Sequence, residues 1–209
     1  MSQTGPPKPI TSCGSSKRIV LGISGATGAV YALRLLEVLN DLSVETHLVV
    51  SASGWLTIAQ ETGLKRRTVQ AMASFCHDIN DVGGSIASGS FRHDGMVIAP
   101  CSMRTLAAVA QSLSDNLLTR AADVTLKERR ILVMMARETP LTLAHLRNMT
   151  LATEMGARIM PPVPAFYTHP KTVQDIIDHT VWRVLDQFGL AHEDAYERWN
   201  GLKGAIAGH

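Results

Sequence analysis

The stretch KRIVLGISGATG, from Lys17 to Gly28, decides the fold. Its residues 18–24 form a short, largely apolar run that ends in glycine and serine, which is typical of a buried strand. After Gly28, apolar residues recur at helical spacing as far as Asn40. A buried strand, a glycine-rich turn and an amphipathic helix in succession predict the first unit of an α/β fold with a parallel sheet.

The same alternation continues along the chain on either side of this stretch. Further strands are predicted at 44–50, 95–100 and 131–136, with a short one at 156–160. Helices are predicted at 29–40, 51–62, 103–111, 114–128, 141–155 and 172–188. Between residues 63 and 91 the pattern is less regular, with a helix at 69–74 and a polar loop at 85–90. Together these elements predict a three-layer, Rossmann-like (flavodoxin-like) doubly wound parallel sheet in one domain.

Composition excludes several classes of protein. The chain has 209 residues, of which 45% are hydrophobic and 18% charged, and a formal net charge of +2. This is enough apolar material for a core, and the near-neutral charge argues against a nucleic-acid-binding protein. No apolar run reaches the roughly 18 residues of a membrane helix. Three cysteines without a C-x-x-C pair and eight histidines without a metal-ligand pattern argue against disulfides and a metal site, and favour a cytoplasmic protein.

The chain divides into one domain and two tails. Residues 1–16 are polar and lack the apolar stretch of a secretory signal, so we interpret them as a disordered tail. The domain is expected at 17–200, and a short tail at 201–209.

Polar residues collect where the predicted strands end. In doubly wound folds the ligand lies beyond the carboxyl ends of the strands. Small and hydroxyl residues follow the strands at 18–24, 44–50 and 95–100, and Arg137-Glu138 follows the strand at 131–136. The segment 161–167, rich in proline and aromatic residues, follows the last strand. This composition suits a phosphorylated, planar ligand.

The glycine loop favours a mononucleotide over NAD. Gly22, Gly25 and Gly28 are spaced G-x-x-G-x-x-G, which differs from the dinucleotide fingerprint G-x-G-x-x-G. No carboxylate follows Val50 to hold the ribose of NAD, whereas FMN needs none. The alternative is that the glycines only allow a tight turn between strand and helix.

Cations and carboxylates near the crevice suggest transfer of a phosphorylated group. Arg120 and Lys127 are seven residues apart and share a helical face, and Arg137 follows a buried strand directly. We interpret Arg129 and Arg130 as the solvated end of a helix, where basic residues are common. Glu138 and Glu61 are candidates for moving a proton, although Glu61 could equally be a surface acid. Cys101 and His145 are expected to be structural.

Six motifs occur together and in a fixed order. They are GISGATG at 22–28, SGSF at 88–91, PCSMRTL at 100–106, LLTRAADVTLKERR at 117–130, ARETPL at 136–141 and PPVPAFY at 161–167. On these motifs the chain resembles the UbiX-type flavin prenyltransferases, formerly called 3-octaprenyl-4-hydroxybenzoate carboxy-lyase or phenolic acid decarboxylase subunit. The resemblance covers residues 17 to about 199.

The resemblance implies a metal-independent enzyme with FMN as prenyl acceptor. It would join the dimethylallyl group of dimethylallyl monophosphate to N5 and C6 of reduced FMN. The product, prenylated FMN, would serve UbiD-type decarboxylases in ubiquinone biosynthesis and aromatic acid decarboxylation. Members of the family form homododecamers with the site at subunit junctions. No nucleic-acid or membrane partner is implied.

The resemblance also assigns roles to individual residues. Flavin contacts are expected from Gly25, Ala26, Thr27, Ser51, Ser102, Met103, Arg104, Thr105 and Arg120. The residues expected to bind the phosphate of the prenyl donor are Lys127, Arg137, Tyr167 and Arg183. The residues expected to take part in catalysis are Glu61, Glu138, Lys127 and Arg137. Ser88, Gly89 and Ser90 are expected near the substrate. Thr27 stands where many relatives have serine, and Ala52 where lysine is frequent.

Three alternatives compete with this interpretation. A flavin-dependent cysteine decarboxylase typically carries a P-x-M-N-type segment and an active-site histidine where this chain has ARETPL. An NAD(P)-dependent oxidoreductase is disfavoured by the missing acid and the glycine spacing. A non-catalytic FMN-binding partner of a decarboxylase is hardly distinguished from the enzyme by sequence.

Overall fold

The computed structural model describes residues 17–190. The predicted tails at 1–16 and 201–209 and the last ten residues of the predicted domain lie outside the described residues. In the described part, no helix combines the length and the apolar character needed to cross a bilayer.

Six parallel strands form one sheet in the order β3-β2-β1-β4-β5-β6. They are β1 (Arg18–Ile23), β2 (Glu45–Val50), β3 (Phe75–His77), β4 (Gly95–Cys101), β5 (Ile131–Ala136) and β6 (Arg158–Ile159). The chain builds the sheet outward from β1 to β3, then returns and builds from β4 to β6. This is the Rossmann order, with its reversal between β1 and β4, and it confirms the predicted fold class.

Within residues 17–190, seven helices cover the two faces of the sheet. They are α1 (Ala29–Asp41), α2 (Ala52–Thr62), α3 (Arg66–Gln70), α4 (Met103–Ala110), α5 (Leu117–Lys127), α6 (Leu143–Glu154) and α7 (Val173–Asp186), with 3-10 turns at Ser85–Ala87 and Phe166–Thr168. The core on one face joins α1, α2, α3 and α7, and the core on the other joins α4, α5 and α6.

Successive residues of a strand belong alternately to the two cores. In β1, Ile19 and Leu21 belong to the first core and Val20 to the second, and all three are almost fully buried. Because successive side chains point to opposite faces, a strand covered on both faces must be apolar throughout. This explains the unbroken apolar run from which the fold was predicted. Met134 and Met135 divide between the cores in the same way.

The structure differs from the prediction mainly between residues 63 and 91. The helix expected at 69–74 is the short α3, which ends at Gln70, and the edge strand β3 was not predicted. β3 has three residues, of which Phe75 and Cys76 are exposed, so it carries neither an apolar run nor an alternating pattern. The helix expected at 114–128 begins only at Leu117, because Asn116 caps it.

Candidate functional site

A cleft of about 460 Å³ opens at the carboxyl edge of the sheet, beside the ends of β1, β2 and β4. It lies where the strand order reverses, the usual position of ligands in this fold. Its lining consists of Gly25, Ser51, Ala52, Ser53, Ile79, Asn80, Ser102, Arg104, Thr105, Asn116 and Leu118.

Ser24 holds the two central strands together beneath this cleft. Its buried hydroxyl donates to the Pro100 carbonyl at 2.9 Å and accepts from the Ser102 backbone N–H at 2.8 Å. The ends of β1 and β4 are therefore fixed relative to one another, which gives the cleft a rigid floor.

Three helices present their amino termini to the cleft. Ser51 caps α2 by accepting from Gly54 N–H at 3.0 Å, and Ser102 caps α4 by accepting from Thr105 N–H at 3.3 Å. Asn116 caps α5 by accepting from Thr119 N–H at 3.0 Å. Helix amino termini carry partial positive charge, so their convergence favours an anionic ligand.

The glycine loop makes a tight turn whose amides are already bonded. Gly28 has a φ of 107°, and its N–H donates to the Glu61 carboxylate at 3.0 Å. Ala29 N–H donates to the same carboxylate at 2.8 Å. Glu61 thus occupies the amino terminus of α1, a position that favours an anion. Its expected part in proton movement stays a prediction.

The residues predicted to contact flavin are partly brought together. Five of them line the cleft: Gly25, Ser51, Ser102, Arg104 and Thr105. Thr27 instead lines a neighbouring surface hollow together with Glu61. Met103 and Arg120 are not among the described residues that line the cleft, and Arg120 pairs with Asp123 at 3.1 Å.

Several cleft residues were not predicted. Ile79 and Asn80 follow the unpredicted strand β3, so they reach the carboxyl edge by a route that the periodicity did not reveal. Asn116 falls in the first turn of the helix predicted at 114–128, although an asparagine before an apolar-periodic segment is a recognised capping signal. Asp115, next to it, forms an ion pair with Arg104, and this hydrogen-bonded cation lowers the pKa of the Asp115 carboxyl.

Arg137 and Glu138 extend the carboxyl edge beside the cleft. Arg137 N–H donates to the Cys101 carbonyl at 3.1 Å, which places the pair next to Ser102. Both side chains are exposed, and Glu138 accepts only from the adjacent Thr139 N–H, at 3.2 Å, among the described residues. A cation and a carboxylate therefore stand at the rim of the cleft, accessible to a second ligand.

Arg183 lies on α7, and Tyr167, in the 3-10 turn at Phe166–Thr168, contacts the same helix. The Tyr167 hydroxyl is 3.2 Å from Nε2 of His179, which lies one helical turn before Arg183. Burial, and then the charge of Arg183, lower the pKa of His179. Arg183 also pairs with Asp186 at 2.8 Å. Phe188, just beyond α7, packs near Gly95 at the start of β4, so the carboxyl end of α7 lies toward the amino edge of the sheet.

Lys127 and the loop Ser88–Ser90 lie at the amino edge, away from the cleft. Lys127 ends α5 four residues before the start of β5, whereas Arg137 follows β5 directly. The six residues of β5 separate these ends by about 20 Å at roughly 3.3 Å per residue. The expectation that the cations converge on the carboxyl edge is therefore wrong for Lys127 within one copy of the chain.

The loop before β4 is held at this amino edge by arginines. Arg130 donates to the carbonyls of Phe91 at 2.7 Å and Gly89 at 2.8 Å, so its interpretation as a solvated helix end is wrong. Arg18 donates to the Arg92 carbonyl at 2.7 Å and stacks over the Phe91 ring.

Histidines pack beside the same loop. His47 stacks on Phe75 and meets the edge of Phe91, with its Nδ1 atom 2.9 Å from Nε2 of His77. His93 is buried and its Nδ1 bonds the Gly95 carbonyl at 3.1 Å. Burial lowers the pKa of His93 to about 4.

Two residues are structural as expected. Cys101 is fully buried at the end of β4, and burial raises the pKa of its thiol, so thiolate chemistry is suppressed. His145 bonds the Thr142 N–H in a capping box at the start of α6. Across residues 17–190, no group of three or more His, Cys, Asp or Glu side chains is arranged to hold a metal ion.

Comparison with known proteins places this geometry in context. A family model described as "Flavoprotein" matches residues 8–185. The flavin prenyltransferase UbiX of Thauera aromatica is 60% identical over 184 residues, covering 88% of this chain and 94% of that protein. A crystal structure of AnUbiX (PadA1) in complex with FMN and dimethylallyl pyrophosphate matches with a TM-score of 0.87 and 50% identity, over 90% of this chain and 99% of that one. A dodecameric FMN-dependent UbiX-like decarboxylase from Escherichia coli O157:H7 matches with a TM-score of 0.85 and 50% identity, over 88% of this chain and all of that one.

Proposed function

The chain belongs to the flavoprotein family and, within it, to the UbiX flavin prenyltransferases, and from this premise we propose how its residues carry out the transfer. It is a flavin prenyltransferase whose acceptor is FMN. The finer assignment is that the dimethylallyl group of dimethylallyl monophosphate is joined to N5 and C6 of reduced FMN.

The cleft at the carboxyl edge fits FMN. Its volume is in the range of small-molecule sites, and its lining includes several small and hydroxyl-bearing residues. The hydroxyls of Ser51 and Ser102 offer hydrogen bonds, and the helix amino termini that they cap favour a phosphate. Reduced flavin supplies the electron-rich nucleophile when bound, so the protein needs no nucleophile of its own. This agrees with the buried, protonated Cys101.

Cations assist departure of the phosphate from the prenyl donor. The allylic C–O bond breaks with its electron pair on the phosphate, and the guanidinium of Arg137 at the cleft rim is placed to stabilise that charge. We assign Lys127, Tyr167 and Arg183 to the same phosphate.

Carboxylates move the protons that the overall reaction requires. One proton leaves N5, one leaves C6 and one is added to the alkene, so one proton departs with the phosphate. Glu138 stands at the cleft rim beside Arg137 and is the proposed carrier. Glu61, bonded to the amides that begin α1, is proposed to assist by fixing the glycine loop next to the cleft.

We propose that each site is shared between copies of the chain. Lys127 lies roughly 20 Å from the carboxyl edge of its own copy, farther than a five-carbon phosphate ester spans. The amino edge of one copy would therefore complete the cleft of another. The dodecameric UbiX-like relative from Escherichia coli supports a closed assembly of this kind.

The observation that carries the proposal is the cleft at the strand-order reversal with Arg137 and Glu138 at its rim. The test is anaerobic incubation with reduced FMN and dimethylallyl monophosphate, followed by mass spectrometry of the extracted flavin. A flavin heavier by one C5H8 unit is expected. Unmodified FMN would support the non-catalytic carrier, and turnover of a peptidyl cysteine would support the decarboxylase.

Two further assignments rest on the family. Dimethylallyl diphosphate in a parallel reaction tests the donor, and slower product formation than with the monophosphate is expected. The product is proposed to serve a UbiD-type decarboxylase, which the extracted flavin should activate when added to the apo-decarboxylase. A cytoplasmic location is proposed from the free thiols of Cys76 and Cys101.

A further inference from the structure

Arg130 bridges two parts of the amino edge that are distant in sequence. From the position directly before β5, its guanidinium donates to the carbonyls of Gly89 at 2.8 Å and Phe91 at 2.7 Å. These are backbone acceptors, about forty residues away along the chain. A planar guanidinium can hold two such acceptors at once in a fixed orientation, which an ammonium group cannot.

The segment that Arg130 holds lies directly against Lys127. A Cβ atom added at Gly89 would overlap the Glu128 carboxylate and lie 2.9 Å from Lys127 Nζ. On either side of Gly89, the hydroxyls of Ser88 and Ser90 are 2.9 Å apart. Lys127, which pairs with the Glu128 carboxylate in this structure, and two hydroxyls are thus gathered on one exposed surface. Ammonium and hydroxyl groups are donors that a phosphate can accept from.

No other side chain among residues 17–190 is seen to bond the carbonyl of Gly89. Arg18 binds further along the loop, at the Arg92 carbonyl and over the Phe91 ring. Within the loop, Phe91 N–H donates to the Ser88 carbonyl at 3.2 Å, and Ser90 N–H approaches the Ser88 hydroxyl at 3.3 Å. The position of Gly89 relative to Lys127 therefore depends on Arg130.

We infer that Arg130 is a positioning residue for prenyl transfer: it holds the Ser88–Ser90 hydroxyls and Lys127 in one phosphate-binding arrangement. The inference rests on the proposed function, because it takes this surface as the part that one copy contributes to another copy's site. Among residues 17–190, the hydrogen bonds seen for the Arg130 guanidinium go to backbone carbonyls of the loop. Its effect on the reaction is transmitted through the loop.

The first experiment compares Arg130→Ala with Arg129→Ala. Both variants lose one positive charge at the same end of α5, but the Arg129 side chain is exposed and is seen in no hydrogen bond or ion pair within the described chain. For Arg130→Ala, kcat/KM for dimethylallyl monophosphate is expected to fall by about 10- to 100-fold, as misplacement by about 1 Å can cause. Flavin affinity and assembly size are expected to match wild type. Arg129→Ala is expected to behave as wild type, and equal losses in both variants would overturn the inference.

Arg130→Lys separates charge from geometry. It keeps the positive charge but lacks the two separate, coplanar nitrogens that fix both carbonyls in one orientation, so most of the loss is expected to persist. Full activity in Arg130→Lys would show that charge alone matters and would contradict a positioning role.

A double-mutant cycle tests whether the effect passes through the loop. If Arg130 acts by placing the Ser90 hydroxyl, Arg130→Ala should cost much less in a Ser90→Ala background than in wild type. Fully additive losses would place the action of Arg130 elsewhere.

Hydrogen exchange gives a readout that does not depend on activity. Amide exchange at Ser90 and Phe91 is expected to accelerate in Arg130→Ala and to stay unchanged in Arg129→Ala, with the rest of the chain unaffected. Unchanged amide exchange at Ser90 and Phe91 would show that Arg130 does not order the loop. Should the wild-type protein form no prenylated flavin, the proposed function fails, and the exchange data still decide whether Arg130 orders the loop.

Discussion

The two edges of the sheet use their polar groups differently. At the carboxyl edge, Ser51, Ser102 and Asn116 cap helices whose amino termini face an open cleft. At the amino edge, Arg18 and Arg130 instead donate to the backbone carbonyls of the loop before β4. The carboxyl edge is therefore built to receive a ligand, and the amino edge to hold a loop in shape.

This difference suggests a division of labour within an assembly. We propose that the cleft binds flavin by itself, whereas the loop at Ser88–Ser90 and Lys127 act only when they face the cleft of another copy. The predictions that follow test whether the two edges act on the same reaction and whether they do so from different copies.

Removal of the charge at the cleft rim is expected to have the largest effect. Arg137→Ala should lower kcat by about 10²- to 10³-fold, because phosphate departure loses a preorganised cation. Glu138→Gln should slow transfer severely through loss of the carboxylate. Flavin should remain bound in both variants, as measured by fluorescence titration. Arg67→Ala, at an exposed arginine of α3, is the control, and wild-type turnover in the rim variants would contradict the assigned roles.

Mixing two inactive variants tests whether the edges come from different copies. If each site takes Lys127 from one copy and Arg137 from another, co-expressed Lys127→Ala and Arg137→Ala chains assemble some intact sites. Random assembly in equal amounts gives about a quarter of wild-type activity. Sites formed within one copy would give no recovery, so an inactive mixture of correct assembly size would overturn the shared site.

The buried histidine of the amino edge predicts a loss of stability in acid. The pKa of His93 in the folded protein is about 4, below the value of about 6.5 for an unfolded histidine. The unfolded chain therefore binds this proton first as the pH falls. The contribution of His93 to stability is complete above pH 6.5, and about 3 kcal/mol is lost between pH 6.5 and 4.

Urea unfolding across this pH range measures the effect. In His93→Asn the side-chain amide can still donate to the Gly95 carbonyl, but it does not titrate. The free energy of unfolding of this variant should therefore lack the loss of about 3 kcal/mol between pH 6.5 and 4. His169→Asn, at an exposed histidine, should keep the wild-type slope. An unchanged slope in His93→Asn would show that another group is responsible.

The smallest effect is expected at a helix cap in the cleft. Ser51→Ala should cost about 1 kcal/mol of stability by removing the acceptor for Gly54 N–H. Because Ser51 also lines the cleft, flavin affinity should fall in the same variant. Thr142→Ala, at the cap of α6, should cost similar stability and leave flavin affinity unchanged. Equal flavin affinity in both variants would remove Ser51 from the flavin site.

Much of the fold could be predicted from local pattern. β5 was predicted at its exact limits, and β1 and β2 to within one residue, because a strand buried on both faces must be apolar throughout. β3 could not be predicted, since a short, half-exposed edge strand is identified only by its pairing with β2. The cleft residues Ile79 and Asn80 were lost with it.

The candidate site, like the fold, could be predicted only in part from the sequence. Order along the chain was enough to indicate that Ser51, Ser102 and Arg137 follow strands and so meet at the carboxyl edge, because all strands of a doubly wound sheet run the same way. Only the folded chain shows that Glu61 closes the glycine turn, that Arg130 grips a loop some forty residues away, and that a whole strand separates Lys127 from Arg137. Periodicity reports what each residue faces within its own element. Contacts between distant segments depend on how loops close and elements pack, which no local pattern encodes.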